Sequence, residues 1–176
     1  MTMAENQFVT SETDIRGILR SCAKCASLTR DTTLIISHTE LPKLRLNGVG
    51  SRKHSIIINS EVDNQKLGHW FTLLVFPNRR AILCDGLNQM FKHRHILNNL
   101  KTFCKYNNLT LHNLSFHCQD TSSKKCGYIT LFFTAKASEL TYFRFMKLIH
   151  MLSRGSIRSR EQYIMTFVAK HFNVLI

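Results

Sequence analysis

The sequence is short of acid. Against 24 lysines and arginines stand only 11 aspartates and glutamates, giving a formal charge of +13 and a pI near 9.9. That imbalance exceeds what solubility requires and points to a polyanionic partner, nucleic acid first, with a merely solvated basic surface as the alternative. The charge is spread along the chain, so a folded surface carries it rather than a tail. No zinc-finger, homeodomain or RNA-recognition signature accompanies it, which leaves phosphate contact without base readout. Also missing is any apolar run near the ~20 residues of a spanning helix. The amino end, MTMAENQFVTSETD, lacks the basic and apolar regions of a secretory signal. A soluble intracellular protein is expected, with its six cysteines reduced. No repeat or low-complexity segment divides the 176 residues, 44% of them hydrophobic, so a single domain over 1–176 is expected, with residues 1–10 disordered.

What is present is organised around QDTSSKKCGYITLFFTAKA, Gln119 to Ala137. A polar, turn-forming run, Asp120-Thr121-Ser122-Ser123, precedes Cys126, and an apolar run from Tyr128 follows it. This pattern predicts a loop feeding a buried helix. A thiol in the first turn of such a helix sits at the positive end of the peptide dipoles, beside unpaired N–H groups, and both favour thiolate. Lys124 and Lys125 are expected to push the same way. Taken alone, the window fits an inert buried thiol as well.

The other segments read around this one. Ser11-Glu12-Thr13-Asp14 forms a Ser-x-x-Asp cap in front of a helix of about four turns. Cys22 and Cys25 fall within that helix, and no second pair at zinc-site spacing joins them, so no metal is expected. Leu34-Ile35-Ile36 and Ile56-Ile57-Ile58 are short strand candidates, with loop from Leu41 to Ser55. Gly68 to Phe76 reads as a strand covered on both faces, turned by Pro77-Asn78-Arg79-Arg80 into an antiparallel neighbour, Ala81 to Gly86. A helix over Gln89 to Tyr106 and an alternating strand over Leu109 to Phe116 follow. Glu139 to Leu152 and Ser159 to Phe172 read as amphipathic helices. Candidate phosphate contacts are Arg79, Arg80, Lys92, Arg94, Arg144, Arg154 and Arg158.

In chain order there is a histidine opening one strand, an aspartate ending the next, a glutamine opening a polar loop and a cysteine starting an apolar helix. Each has a role in cysteine-nucleophile acyl transfer. Cys126 attacks, His69 holds and returns the proton, Asp85 orients the imidazole, and the Gln119 amide with the Cys126 N–H binds the oxyanion. Strand side chains alternate faces, so a regular even hairpin would send His69 and Asp85 to opposite sides. An odd loop or a bulge is therefore expected between them.

In these residues the sequence resembles the adenovirus protease family, the adenains, within the papain-unlike cysteine proteases that also include the SUMO-specific enzymes. His69-Trp70 before an apolar strand is similar to the family's His-Trp pair. Asp85 falls where its acid sits, and Gln119, six residues, then Cys126-Gly127 is similar to its Gln-to-Cys-Gly loop. The resemblance implies an α+β fold, a small mixed/antiparallel sheet packed between helices, with the nucleophile starting a central buried helix. It implies a cysteine endopeptidase cutting viral precursor proteins near glycine during virion maturation, in the host nucleus and virion, acting as a monomer and stimulated by DNA. Two features depart from the family. Its acid is usually glutamate, whereas SUMO proteases use aspartate. Its cysteine linked to a viral activating peptide corresponds here to Asn108, with Cys104 a few residues earlier as a substitute. The alternatives are a protease deconjugating ubiquitin-like tails and a non-enzymatic basic DNA-packaging protein. Leu46-Asn47-Gly48-Val49-Gly50 resembles the family's cleavage pattern and is a candidate self-cleavage site, although Asn47-Gly48 is also an ordinary turn signal.

Overall fold

A computed structural model of the chain describes residues 11–22, 33–61 and 68–176. Near-continuous apolar strands need cover on both faces, and they form the middle of a five-stranded sheet in the order β1 (Thr33–Ser37), β2 (His54–Asn59), β3 (Trp70–Val75), β4 (Arg80–Cys84), β5 (Thr110–Asn113). The outer pairs, β1 with β2 and β4 with β5, are parallel, and the inner pairs are antiparallel. Both β2 and β3 are buried at every position.

Alternation then divides the core in two. Ile57, Leu74, Ile82 and Cys84 face one way and pack with α1 (Glu12–Ser21), α3 (Cys126–Glu139), α4 (Tyr142–Ser153) and α5 (Ile157–Phe172). Ile56, Ile58, Phe71, Leu73 and Leu83 face the other way, against Ile96, Leu100 and Phe103 of α2 (Arg94–Tyr106). The protein is thus α+β, its mixed sheet lying between helices. Helix α3 is the innermost, with every residue from Gly127 to Ala135 buried, as a helix apolar on all sides must be. No helix among the described residues is long and apolar enough to cross a membrane.

Several boundaries differ from the sequence reading, each for a local reason. The Ser11–Asp14 capping box forms, but α1 stops at Ser21, and Cys22 is extended beyond it rather than mid-helix. Cys25 and residues 1–10 lie outside the described residues. Helix α2 starts only at Arg94, because the chain winds first into a 3₁₀ turn, Met90–Lys92, and His93 then leaves the helical region at φ −100°, ψ 84°. Strand β5 is four residues long, because the Phe116 N–H turns back onto the Leu114 carbonyl at 2.7 Å and ends the ladder.

Candidate active site

Parity brings His69 and Asp85 together. The β3–β4 register pairs Val75 with Ala81 and Thr72 with Cys84, which carries Phe71 to a position opposite Asp85. The loop is Pro77-Asn78-Arg79, closed by Phe76 N–H to the Arg80 carbonyl at 2.9 Å, with Arg79 left-handed at φ 59°. Such a three-residue loop is odd. His69, diagonal to Asp85, then reaches it: Nε2 lies 2.6 Å from Oδ1. Its backbone is fixed from β2, donating to Ser60 Oγ and accepting from Ser60 N–H, each at 2.9 Å. Gly68 before it has no room for a side chain, since a Cβ there would collide with Oδ1 of Asn59.

Asp85 is 4% exposed, and a buried carboxylate needs partners. Besides His69 it accepts N–H groups from Leu87 at 3.0 Å, Gln89 at 2.6 Å and Met90 at 2.9 Å. Burial works against its charge, but His69 and these N–H donors outweigh it and hold the carboxyl below its usual range. With Nε2 committed to Asp85, Nδ1 is the nitrogen left for the thiol, and the His69 ring and the Cys126 side chain are hydrogen-bonding partners. Burial disfavours the imidazolium, yet Asp85 and Cys126 together raise its pKa to about 9.

Cys126 is the first residue of α3, and no side chain caps the helix, so its leading N–H groups are not taken by a cap. Burial disfavours the thiolate, but the His69 side chain and the N–H groups of Trp70 and Gly127 lower the pKa below the ordinary thiol value. The other shifted cysteines go the opposite way. Burial pushes Cys84 and Cys118 well up and Cys104 up to about 12. The Lys125 ammonium, expected to act on the thiol, is paired with Glu161 at 3.2 Å.

Gln119 is fully buried in the loop that leads to Cys126. Its backbone N–H and that of Cys118 both donate to the Gly86 carbonyl, at 3.0 and 2.9 Å, tying the loop to the residue after Asp85. The side-chain amide donates to the Ser123 carbonyl at 2.7 Å, which keeps a second amide hydrogen uncommitted by that bond. Gly86 and Glu161 are the parts of the site that sequence reasoning missed. Gly86 carried a signal, since it directly follows Asp85. Glu161 carried none, being distant in sequence.

The seven basic candidates are not gathered into one surface. Lys92 and Arg94 lie beside and at the start of α2, across the sheet from α4, because the two helices cover opposite faces. Arg79 is in the hairpin loop, and Arg80 places its guanidinium 4.6 Å over the Tyr142 ring. Arg144 and Arg154, with Lys136, Lys147 and His150, line a cavity of about 490 Å³ together with Leu140, Leu148 and Met151. Arg158 is exposed in the first turn of α5.

Local structure disfavours two further expectations. Cys104 is 4% exposed and faces the α2 core, so it is not presented for a bond to an activating peptide. Residues 48–52 form a closed turn in which Ser51 and Arg52 both donate to the Gly48 carbonyl, at 2.9 and 2.8 Å, and Val49 is buried. The Val49–Gly50 bond is therefore not held in the extended form a protease groove accepts. The chain matches no protein-family model and no curated protein.

Proposed function

We propose that this chain is a cysteine-nucleophile hydrolase, and in particular an endopeptidase of the adenovirus-protease kind, which cuts viral precursor proteins near glycine during virion maturation and is stimulated by DNA. The observation that carries the reading is the contrast among thiols. Burial raises Cys84, Cys104 and Cys118, while Cys126 alone of these four is lowered, by an imidazole that a buried carboxylate backs.

The chemistry follows from that pairing. The Cys126 thiolate adds to the scissile carbonyl, forming a C–S bond and an oxyanion that the helix-start N–H and the Gln119 amide stabilise. His69, already protonated, gives its proton to the departing amine as the C–N bond breaks. It then takes a proton from the water that cleaves the thioester, and the acid is released. The resting ion pair needs no external base.

The test is hydrolysis of glycine-containing capsid-type peptides by the full chain, beside Cys126→Ala and beside a fluorogenic ubiquitin-like conjugate. Cleavage of the peptides by the unaltered chain alone supports the reading. Preference for the conjugate, which the aspartate at position 85 makes worth including, would move the assignment to the deconjugating enzymes. Activity retained in Cys126→Ala would end it.

A further inference from the structure

Only six residues separate Gln119 from Cys126, and the two ends must be held in step if one supplies an oxyanion donor and the other the nucleophile. The connecting turn closes on itself. Ser123 N–H donates to the Asp120 carbonyl at 2.9 Å, and Asp120 Oδ1 accepts from the N–H and hydroxyl of Ser122 at 2.9 and 2.6 Å. Outwardly it converges on one carboxylate. Glu161 of α5 accepts the Asp120 N–H on Oε2 at 2.8 Å, and on Oε1 meets the Ser123 hydroxyl at 3.3 Å and the Lys125 ammonium at 3.2 Å. The adjacent Arg160 grips the chain upstream, donating to the His117 carbonyl at 2.6 Å, and anchors itself to the end of α4 by donating to the Leu152 carbonyl at 3.2 Å. One turn of α5 thus holds the polypeptide on both sides of Gln119. The Gln119 amide is in turn bonded to the carbonyl of Ser123, the same residue whose hydroxyl rests on Glu161.

We propose that Glu161 is a positioning residue for the oxyanion site, setting where the Gln119 amide stands relative to the start of α3. The inference rests on the reading of Cys126 as nucleophile. Glu161 acts through placement, not through its charge, which Lys125 already meets. Two reactions of the same thiolate separate the roles. Alkylation by iodoacetamide is a direct displacement of iodide with no oxyanion. Acylation by p-nitrophenyl acetate passes through one, as the C–S bond forms and p-nitrophenolate leaves.

In the full chain, Glu161→Ala is expected to slow acylation by roughly tenfold or more, while the alkylation rate and its pH profile stay within about twofold. Glu161→Gln is expected to recover most of the acylation rate, since its amide can still accept the Asp120 N–H on oxygen and bond the Ser123 hydroxyl through nitrogen. Unchanged acylation in Glu161→Ala, an equal fall in both reactions, or a glutamine variant as slow as the alanine one would each overturn the proposal. If the unaltered chain alkylates like an ordinary thiol, the nucleophile reading fails and takes this inference with it. Failure of the positioning role alone leaves alkylation fast.

Discussion

Replacing Asp85 by asparagine keeps the shape of the side chain and changes what its atoms can bond. In the native site Oδ1 serves His69 and the Leu87 N–H, and Oδ2 serves the N–H groups of Gln89 and Met90. An amide must put its NH₂ at one of these two places. At the Oδ2 place it would oppose two buried donors; at the Oδ1 place it opposes one, and faces Nε2 of His69. Leaving a buried donor unsatisfied costs about 1–3 kcal/mol, so the second orientation is preferred and stability falls by about that amount. The consequence for chemistry is larger. An NH₂ donating to Nε2 selects the tautomer with its hydrogen on Nδ1, which presents a neutral N–H to Cys126 where the native site presents an imidazolium. A wrong tautomer of this kind lowers turnover by on the order of 10³–10⁴, leaving a residue of activity that Cys126→Ala lacks. The carboxylate also marks acid stability. Because its folded pKa lies below the ordinary 3.8, it contributes stability above that pH and loses it as the pH falls through the depressed value. Asp85→Asn should therefore flatten the acid limb of unfolding. The assay is the alkylation rate of Cys126 against pH, with thermal melts from pH 2 to 6 alongside. An asparagine variant with native alkylation and a native acid limb would refute the argument.

Gln119→Ala is expected to lower peptide turnover by roughly 10²–10³ while leaving Cys126 alkylation intact, as for loss of one oxyanion donor, with steady-state kinetics as the check. The pH profile of hydrolysis should rise below the ordinary thiol range as the thiolate forms and fall as His69 loses its proton near about 9, the two limbs belonging to the pair. DNA should raise activity, with added salt removing the gain. Reversing Arg144, Lys147 and Arg154 in the α3–α4 cavity should flatten that salt dependence without changing basal cleavage.

Local chemistry made much of this legible in the sequence. The change from Asp120-Thr121-Ser122-Ser123 to an unbroken apolar run marks the start of α3 because a helix buried on all sides tolerates no polar break. The parity of the hairpin was readable because strand side chains alternate and His69 and Asp85 had to share a face. What was not readable depended on contacts distant in sequence. Nothing near Lys125 announces Glu161, and nothing in Lys92 or Arg144 says that α2 and α4 cover opposite faces of the sheet. The helix expected from Gln89 begins late because the chain first makes a separate 3₁₀ turn and His93 breaks it from Arg94 with non-helical backbone angles. Periodicity cannot see one residue's departure from helical backbone angles.

The central claim is that Cys126 rests as a thiolate against a protonated His69. It is tested most directly by following thiolate ultraviolet absorbance against pH in the full chain and in Cys126→Ala. The account predicts a difference between the two that persists well below the pKa of about 8.5 of a free thiol and disappears when His69 is replaced by alanine. A difference that appears only near that ordinary value, and is the same with or without His69, would contradict it.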